Sequence, residues 1–150
     1  MIQLSGINPL LFDSSNEFLC IISATPLSVS WDTQGITIAG QSSLSGAGAN
    51  QLSYPYDLTL DLSKSVYIAE RGNNRVEKWL LGASSGTTVA GQANGAAGSS
   101  LNYFNRAGGV VIDSSGNLYV TDPFNHRVQY WASGSSSGTI IAGTGTSTKE

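Results

Sequence analysis

The stretch Ile112-Asp-Ser-Ser-Gly-Asn-Leu-Tyr-Val-Thr-Asp-Pro-Phe-Asn-His-Arg-Val128, continued by Gln129-Tyr130-Trp131, decides the reading of this chain because it occurs more than once. Leu60 to Val76 lies over it, with Asp61 on Asp113, Asn73 on Asn125, Arg75 on Arg127 and Trp79 on Trp131. Each copy then reaches an apolar run ending in glycine, Thr88-Val89-Ala90-Gly91 and Ile140-Ile141-Ala142-Gly143. From Asp to Trp is 18 positions in both copies, and the same interval joins Asp13 to Trp31 near the N-terminus. There Phe12-Asp13-Ser14-Ser15 matches Ile112-Asp113-Ser114-Ser115, and Gly35 to Gly40 matches Gly138 to Gly143. The period from Asp to Asp is 48 and then 52 residues, the difference falling in the connections.

Within the third copy, Gly109 to Ile112, Leu118 to Thr121, Arg127 to Trp131 and Thr139 to Ala142 read as short strands bounded by turn residues. No segment sustains a helical period. A four-stranded unit recurring every ~40 to 50 residues is the signature of a β-propeller blade. The chain is therefore expected to be all-β: a partial β-propeller of three four-stranded antiparallel blades within a single segment, 1–150, with blades at about 7–40, 54–91 and 106–143. Three blades cannot close a ring that needs ~4 to 8. Two expectations stay open: a fragment of a larger, six-bladed propeller, or a chain that self-associates to complete a ring, as two copies would.

The pattern hydrophobic-Asp-x-x-Gly-Asn-hydrophobic-Tyr-Val-x-Asp followed by Asn-His-Arg-Val, at Ile112 to Val128, resembles the NHL-repeat family of propellers. Leu60 to Val76 resembles it with Glu70 in place of the second Asp, and the first copy departs from it, with Pro26-Leu27-Ser28 where Asn-His-Arg-Val would stand. The resemblance implies an interaction module that recognises protein or RNA; some relatives on this architecture are metal-dependent lyases or lactonases.

Charged residues make up 11% of the chain, and 7 Lys and Arg against 10 Asp and Glu give a net charge of −3. That balance argues against a nucleic-acid footprint. One cysteine, Cys20, excludes an internal disulfide, and one Cys with one His excludes a structural zinc site of the usual kind. The apolar Phe18 to Ile22 run follows Asp13 and Glu17 rather than a basic segment, so it reads as a buried strand and not a signal peptide. A lyase site needs several His or carboxylates converging on one metal, and the chain is read as non-enzymatic, with no metal and no cofactor.

The recurring residues Asp13, Asp61, Asp113, Asp122, Asn73, Asn125, Arg75 and Arg127 are read as architecture, because Asp and Asn suit tight turns and Arg can satisfy carbonyls or pair with a carboxylate. Trp31, Trp79 and Trp131 share one repeat position and are read as packing between blades. Strand parity places the second connection of each blade and the spacer to the next blade on one face. That face collects Arg71, Asn74, Tyr103, Arg106, Phe124 and His126 as a candidate surface for a protein or peptide. The competing reading makes Phe124 and Tyr103 plugs in the seam between blades.

Overall fold

The computed structural model describes residues 35–145. The expected first blade lies outside the described residues except for its end, and with it Asp13, Cys20 and Trp31. What is described contains two four-stranded antiparallel sheets of simple meander order. The first holds β1 (Pro55–Leu60), β2 (Val66–Glu70), β3 (Arg75–Trp79) and β4 (Thr87–Gly91); the second holds β5 (Val110–Ile112), β6 (Leu118–Asp122), β7 (Arg127–Trp131) and β8 (Thr139–Gly143). The four strands expected in the third copy are all present, and the polar runs at 83–86 and 133–138 join the third and fourth strands of their sheets.

Turn chemistry explains where the strands end. Asp113 Oδ1 accepts the backbone N–H groups of Ser115 and Asn117, and Oδ2 accepts from the Asn117 side chain, closing the β5–β6 hairpin. Asp61 does the same for β1–β2 by accepting the Ser65 N–H and the Tyr67 hydroxyl. Both sheets carry a register shift at one repeat position, Val76/Glu77 and Val128/Gln129, in the pairing of the third strand with the fourth.

The two sheets pack on each other through one apolar layer. Tyr67, Ala69, Val76 and Ala90 of the first meet Val110, Leu118, Val120 and Trp131 of the second, with Phe104 and Ala107 from the spacer between them. The opposite face of the first sheet is covered by its own preceding spacer, where Ala39 and Leu52 pack on Val66, Ile68 and Trp79. Period-2 patterning follows from this coverage. In β2, covered on both faces, every residue is buried, whereas β6 alternates buried Leu118, Val120 and Asp122 with exposed Tyr119 and Thr121.

Close approach fixes two glycines. A Cβ on Gly86 would lie 2.4 Å from the Trp79 indole nitrogen, and one on Gly138 would lie 2.5 Å from that of Trp131. The loop between the third and fourth strands thus crosses directly over each tryptophan. Both indoles are buried, and the Phe104 ring sits 5.4 Å from that of Trp131.

Candidate functional site

Each sheet encloses a buried polar cluster at the turn between its second and third strands. Glu70 Oε1 accepts from Arg75 Nε at 2.7 Å, while Oε2 accepts from Asn73 Nδ2 at 2.7 Å and from the Ser53 backbone N–H at 2.8 Å. Asp122 repeats the arrangement, accepting from Arg127 Nε at 2.9 Å, Asn125 Nδ2 at 2.8 Å and the Asn105 backbone N–H at 2.8 Å. The rest of each guanidinium reaches into the preceding spacer: Arg75 donates to the carbonyls of Ala47 and Gly48, and Arg127 to those of Ser99, Ser100 and Tyr103. Asn73 and Asn125 donate their second amide hydrogen to Gly46 and Gly98. Arg75 also donates to Ala93 O of the following spacer.

Carboxylate and arginine therefore belong to one sheet, and each guanidinium also donates to loop carbonyls. A buried charge is tolerable when it is paired and its other hydrogen-bonding positions are filled. Glu77 adds a second carboxylate, 2.9 Å from Arg75, and accepts from Trp79 Nε1 at 3.1 Å. Burial raises its pKa to about 7 against the pull of Arg75. At the equivalent place Gln129 donates to Tyr103 O, and its Oε1 and the Trp131 Nε1 have no hydrogen-bond partner.

Above these clusters lies the surface the sequence singled out. Pro123–Asn125 form one 3-10 turn, started by Pro123 and ended by His126 at φ 51, whose N–H donates to Pro123 O. The turn leaves Phe124 at its tip, 46% exposed. Arg106 lies over the Phe124 ring at 4.3 Å from its centroid, and Arg71 lies 5.8 Å from the same centroid and 5.4 Å from that of Tyr56. These distances are in the range of cation–π attraction. Beside them Arg71 and Arg106 line a groove of about 560 Å³ together with Tyr54, Gly72, Asn74, Ala97 and Asn105.

The six expected face residues separate into distinct roles. Arg71, Phe124 and Arg106 come together, and Asn74 joins them as a support: its Nδ2 donates to Gly95 O at 2.9 Å and its Oδ1 accepts the Arg106 N–H at 2.7 Å. His126 is exposed at the end of the Phe124 turn. Tyr103 is half-buried on the spacer, its ring against Gly98 and its carbonyl taken by Arg127 and Gln129. The ring that fills the seam between the sheets is Phe104, fully buried.

Sequence reasoning passed over Phe104 and Tyr56. Phe104 stands where the earlier spacer has Leu52, one of the few apolar residues in otherwise polar loops. Tyr56 replaces the glycine found at 108, and that break in the repeat was its signal.

The NHL repeat family matches residues 104–130, which run from Phe104 through the Asp122–Arg127 cluster to Tyr130 within β7. This stretch is an NHL repeat. No curated protein matches the chain. Among the described residues, no helix is long and apolar enough to cross a membrane, and no three His, Cys, Asp or Glu side chains are grouped so as to hold a metal ion.

Proposed function

We propose that the chain is a non-catalytic interaction module of NHL-repeat type, its two sheets successive blades of a β-propeller, and that it takes a protein or peptide on the face bearing Phe124. One observation carries this reading. The Tyr56, Arg71, Arg106 and Phe124 cluster is built from residues that do not repeat: their counterparts 52 positions away are Gly108, Pro123, Tyr54 and Gly72. Architecture in a repeat protein recurs in every copy, as the Glu70–Arg75 and Asp122–Arg127 clusters do, whereas a ligand site is needed once. Exposed aromatic rings and arginines are also the groups that contribute most to interface affinity.

The enzyme alternative, a piece of a lyase or lactonase propeller, is less well supported. The buried carboxylates Glu70 and Asp122 already accept from an arginine, an asparagine and a backbone N–H, which leaves them occupied with holding the fold. Selection of peptides from a random display library on the whole chain tests the proposal, followed by affinity measurement on Phe124→Ala and, as control, Ser136→Ala in the β7–β8 loop. Loss of at least ~1 kcal/mol in the first variant alone is expected. Equal loss in both, or none in either, would overturn it.

A further inference from the structure

The two arginines at this face are charged groups without a counter-charge. Among the described residues neither Arg71 nor Arg106 has a carboxylate partner, and neither guanidinium donates a hydrogen bond; their side-chain contacts are with aromatic rings. The other arginines, Arg75 and Arg127, are paired at 2.7 and 2.9 Å, and Lys78 is paired with Asp61. The nearby acids are already engaged: Asp57 accepts the N–H groups of Leu58 and Val110, and Glu70 and Asp122 serve the buried clusters.

Sharing the Phe124 ring, at 4.3 and 5.8 Å from its centroid, brings two positive charges into one groove of a protein whose net charge is −3. Like charges at short range repel, and an anion bridging them would relieve that repulsion while filling donors now left to water. Each guanidinium presents a fork of N–H groups suited to bidentate pairing with a carboxylate. The rings hold these forks in place, which lowers the ordering cost of binding. Arg106 is further fixed from below, its backbone held at φ 63 with its N–H on Asn74.

We infer that this groove, if the interaction reading above is right, recognises an acidic peptide segment, its Asp or Glu carboxylates paired with Arg71 and Arg106. Tyr54, 79% exposed, and Ala97 line the same groove and supply apolar wall for the segment's neighbouring side chains. A peptide is favoured over single-stranded nucleic acid because tracking a phosphate backbone takes a continued line of cations. The groove has two, and the acidic balance of the chain supplies no such line.

The test uses the whole chain and two short fluorescein-labelled peptides, one alternating Glu and Ala, the other Gln and Ala, read by anisotropy. The Glu peptide is expected to bind at least about tenfold more tightly than the Gln peptide, to weaken as salt rises, and to lose that advantage in Arg71→Gln/Arg106→Gln. Lys64→Gln, on the β1–β2 turn, is expected to leave it unchanged. The single Arg71→Gln and Arg106→Gln variants report separately should the double variant fold poorly. Equal binding of both peptides, or no binding of either, overturns the acidic-ligand inference. The interaction reading is then judged separately by whether library-selected peptides depend on Phe124. A labelled oligouridine that displaces the Glu peptide and binds more tightly through the same arginines overturns the inference in favour of nucleic acid.

Discussion

Asn74 and Arg106, from the turn of one sheet and the spacer leading to the next, are joined by a 2.7 Å hydrogen bond from the Arg106 N–H to Asn74 Oδ1. Both residues sit in the left-handed region, at φ 51 and φ 63, so each holds a backbone conformation that L residues seldom adopt. The bond places one wall of the groove relative to the other.

Asn74→Gly is therefore expected to keep the turn while removing its grip on Arg106. Urea denaturation should show a loss of about 1–3 kcal/mol for the two hydrogen bonds lost, from the Arg106 N–H and to Gly95 O. Affinity for a ligand of the Arg71–Arg106 groove should fall as Arg106 loses this support. Unchanged stability would mean that Arg106 is held by other contacts.

Two phenylalanines, Phe104 in the spacer and Phe124 in the Pro123–Asn125 turn, should respond very differently. Phe104 is fully buried against Trp131, and Phe104→Ala should cost about 3–5 kcal/mol, read as a large drop in the urea midpoint. Phe124→Ala, at a half-exposed tip, should cost less than about 1 kcal/mol while removing the ring that both arginines contact. A severe loss from Phe124→Ala would place that ring among the structural contacts.

Arg127→Met leaves Asp122 buried with its remaining partners Asn125, Asn105 and Gln129 and strips donors from three spacer carbonyls. Removing one member of a buried ion pair costs about 3–5 kcal/mol. Arg127→Met with Asp122→Leu should recover part of the loss, since the uncompensated charge goes with the second change. No recovery would assign the cost to the carbonyls alone.

Stability should depend on pH through Glu77. Its pKa is raised by burial from an ordinary 4.5 to about 7, so between those values the folded protein keeps a proton that the unfolded chain has released. Stability should fall as pH rises through that window and level off above it. Glu77→Gln should flatten the dependence, and Gln129 at the equivalent position shows that the amide fits the site. Asp113 acts in a separate window and with opposite sign: hydrogen bonds from Asn117 lower its pKa, so its contribution is lost as pH falls below the ordinary value of 3.8. Thermal melts of the parent and Glu77→Gln from about pH 2 to pH 8 separate the two, and identical curves would count against the Glu77 assignment.

The strands were legible in the sequence because the Asp-to-Trp interval is fixed and most strands carry an alternating or continuous apolar signal, as in Leu118 to Val120 and Val66 to Ala69. The turns were legible from Asp61 and Asp113. Less visible was which loop each arginine serves. The sequence allowed Arg75 and Arg127 a carboxylate between blades or a set of carbonyls, and a carbonyl leaves no mark in residue identity. The register shifts after Val76 and Val128 are silent for the same reason, being backbone events between ordinary residues. Arg71, Arg106 and Phe124 could be gathered on one face by strand parity, but the contact of both guanidiniums with one ring required coordinates.

The spacers, rich in Gly and Ser, have the composition of free linkers. Yet Gly46 to Gly48 and Gly98 to Ser100 are bound to the sheet that follows them by the same set of side-chain donors. The segment that carries its own internal bonds therefore begins in the loop, not at the first strand. Duplication or recombination that copied Gly98 to Gly143 would transfer a working polar cluster with its carbonyls, whereas a copy cut at Val110 would keep the Arg127–Asp122 pair but leave the other guanidinium donors without the carbonyls of Ser99, Ser100 and Tyr103. The natural joint of this chain lies between Gly95, still held by Asn74, and Gly98, already held by Asn125.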